Sequence, residues 1–120
     1  LTHRLFAHVI KGGPAGGGFS TVQDLLYFAK ALLSYELLSP EYTEMVLTAK
    51  PEINSPEYGF GFHVSEGKAG RVVGHSGGFV GINARLDMYL DLGYTVAVLA
   101  NCSPPAAGIV ADAMGRMILS

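Results

Sequence analysis

The chain has 120 residues, 49% of them hydrophobic and 15% charged, with a formal net charge of −2. That length holds one domain with one core, and that composition is too apolar for a disordered chain. There is no basic cluster for nucleic acid, no run of about 18 apolar residues for a membrane span, and only one cysteine, Cys102, which excludes an internal disulfide.

The chain opens at Leu1 without a Met, so residues 1–120 are expected to form one segment of something longer. Leu1–Lys11 alternates weakly around Leu5, Ala7 and Val9, a strand signal. His3 and His8 lie in it without the acids a metal site would need. Gly12–Gly18 reads as a loop. It is not a phosphate cradle, because Gly-Phe-Ser stands where Gly-Lys-Ser/Thr would be required. Ser20 with Gln23, or Thr21 with Asp24, caps a helix whose apolar face is Val22, Leu25, Leu26, Phe28, Ala29, Leu32 and Leu33. Ser39-Pro40 opens a second helix, running to about Leu47.

The period then changes to two. Tyr58, Phe60, Phe62 and Val64 alternate with Gly59, Gly61, His63 and Ser65, which predicts a strand with one aromatic face. Glu66–Gly70 turns, Arg71–Ser76 is a strand, and Gly77–Gly81 turns again. Ile82, Ala84, Leu86, Met88 and Leu90 point one way and Asn83, Arg85, Asp87 and Tyr89 the other. Asp91-Leu92-Gly93 closes a hairpin, and Tyr94–Ala100 is the last strand. Ser103-Pro104 repeats the device of a serine cap followed by proline and opens a last helix, with Ile109, Val110, Ala113, Met114, Met117 and Ile118 as its expected buried stripe. Helices, then antiparallel strands, then a helix predict an α/β (α+β) fold with an antiparallel sheet and packed helices. The order argues against a doubly wound parallel sheet.

Chemistry concentrates in Gly74-His75-Ser76-Gly77-Gly78, where a base, a hydroxyl and bare backbone amides stand together. Taken literally this is the G-x-S-x-G nucleophile elbow. That motif needs a helix after the serine and a histidine further along the chain. Phe79–Leu90 alternates as a strand, and none of His3, His8, His63 and His75 follows Ser76. A plain polar turn at a strand end is the structural alternative.

Five segments in order carry a resemblance. They are Gly16-Gly17-Gly18-Phe19-Ser20-Thr21-x-x-Asp24-Leu25, Leu37-Leu38-Ser39-Pro40, Tyr58-Gly59-Phe60-Gly61-Phe62, Gly74-His75-Ser76-Gly77-Gly78-x-x-Gly81, and a hydrophobic strand ending in Ala100-Asn101. Together, over about residues 14–119, they resemble the C-terminal part of the serine β-lactamase and penicillin-binding-protein family. The narrower likeness is to its branch of class C β-lactamases, D-aminopeptidases and esterases. The resemblance implies the C-terminal portion of a three-layer, β-lactamase/transpeptidase-like fold, and hydrolysis of a small amide or ester through an acyl-enzyme. No cofactor or metal is implied, and the family's location would be periplasmic or secreted.

The same resemblance assigns roles. The Gly78 amide would donate to the oxyanion, while His75 would bind the substrate's polar group and assist proton movement. Ser76 would bond the substrate or hold His75, and Gly77 would leave room for substrate backbone. Asn83 and Arg85 would contact substrate. Histidine in place of the family's lysine leans away from carboxylate-bearing β-lactams. The chain is read as lacking the family's Ser-x-x-Lys and Tyr-x-Asn elements, which by the family's order would lie ahead of Leu1, so it is expected to be inactive alone. The alternative is a stand-alone binding or oligomerisation module, self-associating through a strand edge or the Phe-rich helix face.

Overall fold

The computed structural model describes residues 12–120. The strand expected over Leu1–Lys11, with His3 and His8, lies outside the described residues. Helix α1 spans Val22–Leu33 and uses the second of its two expected caps: Thr21 Oγ1 accepts from the Asp24 amide at 3.1 Å and donates to the Asp24 carboxylate at 2.9 Å. Helix α2 spans Pro40–Leu47, with Ser39 at its cap and Pro40 in its first turn. A single 3-10 turn, Pro51–Ile53, follows.

Strands β1 (His63–Gly67), β2 (Gly70–Phe79), β3 (Ile82–Tyr89) and β4 (Tyr94–Ala100) form an antiparallel meander in chain order, and helix α3 (Ala106–Ile118) closes the fold. One sheet face carries Val64, Val73, Leu86 and Met88 against Ala29 and Leu32 of α1 and Leu47 of α2. The other carries Tyr89 and Val96 against Ala111 and Ile118 of α3. The three layers are therefore helices, sheet and helix. Met88 and Val73 are fully enclosed at the centre, each worth about 1.5–3 kcal/mol of burial.

Four expectations are corrected. The strand expected from Tyr58 begins only at His63. Gly61 takes a positive φ of 90°, and the Gly59 amide donates to the Phe62 carbonyl at 2.8 Å, so residues 58–63 close a tight loop instead. Phe60 is consequently exposed. Second, Gly77 and Gly78 do not turn: β2 runs through both to Phe79, and only Val80-Gly81 bend. Third, α3 buries Ala107, Ala111 and Gly115 rather than its large side chains. A Cβ on Gly115 would collide with the Tyr89 hydroxyl, so the helix lies close to the sheet on its small-residue stripe. Ile109, Val110, Met114 and Met117 face outward. Ser103 does not cap α3 either; its Oγ accepts from the Gly81 amide at 2.9 Å.

Arg71 of β2 reaches back to α2 and forks onto Glu44 at 2.6 and 3.1 Å. The hydrogen bond from Arg71, helped by one from Thr48, holds the Glu44 carboxyl below its ordinary range. A carboxyl depressed on folding adds stability above its unfolded pKa and loses it as the pH falls through its folded one. Glu44→Gln is expected to cost at most about 1 kcal/mol at pH 7, because the Glu44 side chain is mostly exposed. Its difference from wild type should close below about pH 4, as read from urea midpoints across pH.

Candidate active site

Strand β2 outruns β1. The β1 register runs from Gly67 opposite Gly70 to His63 opposite Gly74, and β2 continues to Phe79. On its other side β2 stays paired with β3 to its end, Phe79 opposite Ile82. The phase of that ladder is fixed by the Leu90 amide donating to the Arg71 carbonyl at 3.0 Å. In an antiparallel ladder, backbone groups point alternately to one neighbour and the other. Arg71, Val73, His75 and Gly77 therefore bond toward β3, and Val72 and Gly74 toward β1. Ser76 and Gly78 continue the second set where β1 has ended, so their amides project from an open strand edge.

Side chains alternate as well. His75 and Gly77 lie opposite Leu86 and Ala84, on the face that α1 and α2 cover further along. The His75 ring is exposed at the edge and both its nitrogens are engaged: Nδ1 lies 2.7 Å from the Ser76 carbonyl and Nε2 lies 2.8 Å from the Tyr58 hydroxyl. A carbonyl only accepts, so Nδ1 carries the proton. In neutral His75, Nε2 then accepts from the Tyr58 O–H. His63 completes the group, edge-on to Tyr58 at 4.7 Å and 5.4 Å from the His75 ring.

Ser76, Gly78, Asn83 and Arg85 are on the reverse face. Ser76 lies opposite Arg85 and Gly78 opposite Asn83. The Ser76 hydroxyl is thus turned away from His75, and this residue holds the imidazole through its carbonyl. Ser76 sits inside a strand and is followed by strand, which rules out the nucleophile elbow. Arg85 Nε donates to Asp87 at 2.8 and 2.9 Å, and that bond, against the opposing pull of burial, raises the guanidinium pKa above its ordinary value. Asp87 is buried beneath Gly74, where a Cβ would run into the Leu86 carbonyl. Ser65, Gly74, Ser76, Arg85 and Asp87 floor an open groove of about 770 Å³ that His63, His75 and Glu57 border.

Asn83 is buried and committed at both ends. Its Nδ2 donates to the Gly77 carbonyl and its Oδ1 accepts from the Ala107 amide, each at 2.8 Å. It thereby takes the capping position on α3 that Ser103 was expected to fill. By sequence Tyr58 belongs to the aromatic face of a strand. Nothing near Tyr58 marks it as a partner of a residue 17 positions away. The expected absence of Ser-x-x-Lys needs one correction: the spacing occurs literally at Ser65-Glu66-Gly67-Lys68, where it straddles the β1–β2 hairpin. Residues three apart become neighbours on a helix and not across such a turn. Among the described residues no group of three or more His, Cys, Asp or Glu could hold a metal ion.

Asn83→Ala should leave the buried Ala107 amide without its acceptor and remove one donor from the Gly77 carbonyl. A loss of about 1–3 kcal/mol is expected in denaturant unfolding.

Two of the comparisons with known proteins, one against curated proteins and one against solved structures, found no match. The third did: a family model described as Beta-lactamase matches residues 2–117. Since that match spans nearly the whole sequence, the chain belongs to the beta-lactamase family.

Proposed function

We propose that this chain is the C-terminal wall of a serine hydrolase that opens small amides or esters through an acyl-enzyme. It acts with a nucleophile-bearing segment outside residues 1–120. The observation that carries this reading is the open β2 edge, where the Ser76 and Gly78 amides project beside His75. The Gly78 N–H donates to the oxyanion that forms when the acyl carbonyl is attacked. One such donor is typically worth about 2.7–4 kcal/mol of transition-state stabilisation. His75 borders the substrate on the face it shares with Gly77, and the missing Cβ at Gly77 lets substrate backbone lie flat along the strand. Asn83 braces this strand against α3 and does not bind substrate. Arg85 is held by Asp87 through its Nε, so its charge is already partly balanced. That pairing, with histidine at position 75, favours the esterase or peptidase side of the family over carboxylate-bearing β-lactams.

The test is intact-mass analysis of the purified chain after exposure to a fluorophosphonate or a penicillin. No covalent adduct is expected. A stable adduct at Ser76 would overturn the assignment of the nucleophile to another segment.

A second reading, a binding or oligomerisation module, draws on a separate observation: Ile109, Val110, Met114 and Met117 form an exposed apolar side of α3. It expects concentration-dependent self-association in sedimentation velocity. A monomer that stays compact at high concentration contradicts it.

A further inference from the structure

We propose that Tyr58 is the positioning residue of this site, holding His75 in one tautomer and one ring plane across the open end of β2. The inference rests on the reading that His75 borders the substrate. The imidazole is gripped from both sides, by the Ser76 carbonyl at Nδ1, 2.7 Å away, and by the Tyr58 hydroxyl at Nε2, 2.8 Å away. Two grips on one ring fix its rotation as well as its proton. A single grip at Nδ1, to a carbonyl of the neighbouring residue, would leave the ring free to swing about that bond.

Tyr58 is itself tied down, as a positioning group must be. Its carbonyl accepts from the Lys50 amide at 3.1 Å and from the Ser55 hydroxyl at 3.2 Å. The next residue, Gly59, sits so close to the end of α2 that a Cβ would run into the Val46 carbonyl. The Phe60 amide donates to that same carbonyl at 3.1 Å. The ring stands edge-on against His63, with planes at 89°. The 58–63 loop is thus fastened to α2 on one side and enters β1 on the other, with the hydroxyl aimed at His75.

The arrangement has a chemical consequence. With both ring nitrogens occupied, neutral His75 has no free lone pair. The hydroxyl oxygen of Tyr58 keeps lone pairs of its own. A substrate that approaches His75 therefore meets the tyrosine oxygen first, and takes Nε2 only by replacing the Tyr58 O–H as its partner.

Long-range proton–nitrogen correlation spectra of the ¹⁵N-histidine-labelled chain test this without any turnover. With its ring neutral, wild-type His75 is expected as the Nδ1–H tautomer with Nε2 shifted upfield as a hydrogen-bond acceptor. Tyr58→Phe keeps the ring and removes only the hydroxyl. It should move the Nε2 resonance downfield and leave Nδ1 protonated. A wild-type Nε2–H tautomer overturns the proposal. So does an unmoved Nε2 resonance in a Tyr58→Phe chain whose amide spectrum matches wild type. If that variant unfolds, the wild-type cross-peak between the Tyr58 hydroxyl proton and the His75 ring decides: its presence supports the proposal and its absence overturns it. Failure of the hydrolase reading leaves these signals intact, so the two failures are distinguishable.

Discussion

A strand that outlasts its neighbour is the constraint on which the rest of this structure depends. β2 is bonded on both sides as far as Gly74, and on one side only from His75 to Phe79. Because an antiparallel ladder alternates its bonding direction, the shortfall of β1 releases a particular subset of amides rather than all of them. Those of Ser76 and Gly78 face outward while His75 and Gly77 stay bonded to β3. The strand is held rigid by one partner and open to another molecule along its other edge. An edge of this kind is a hazard when it is long, flat and apolar. Here it is short and ends in a Val80-Gly81 turn that Ser103 ties down.

The sheet also divides the polar residues of this region by face, and the division sets what each can do. His75 and Gly77 share a side with α1 and α2, whereas Ser76, Asn83 and Arg85 share one with α3. The reverse side floors the open groove at Ser76 and Arg85 and also carries scaffolding. Asn83 joins the Gly77 carbonyl to the first turn of α3, and Asp87 fills the space that the absent Gly74 side chain leaves. Alterations to Asn83 should act through the position of β2.

Much of this was legible in the sequence, and the failures have physical causes. The changes of period from helix to strand, the Thr21 and Ser39 caps, and the inward set Leu86 and Met88 were all readable, because each depends on neighbours a few residues away. The glycines misled in both directions. Gly77-Gly78 looks like a turn yet lies in a paired strand, while Gly59 and Gly61 look like strand positions yet close a loop. What decided these cases was the register with β3 and the backbone of α2, which no local window contains. The α3 stripe failed for a related reason. Hydrophobicity names the largest residues, but close approach of the helix to the sheet selected Ala107, Ala111 and Gly115. The family was legible from five segments in order. The Tyr58–His75 contact was not, because it joins a loop to a strand 17 residues on.

Hydrogen exchange at single-amide resolution along β2 tests the central claim most directly. If the edge is open as the ladder phase requires, the Ser76 and Gly78 amides exchange far faster than those of His75 and Gly77 between them. Equal protection across all four would mean that the edge is closed, and the proposed anion-stabilising role would have no donors to rest on.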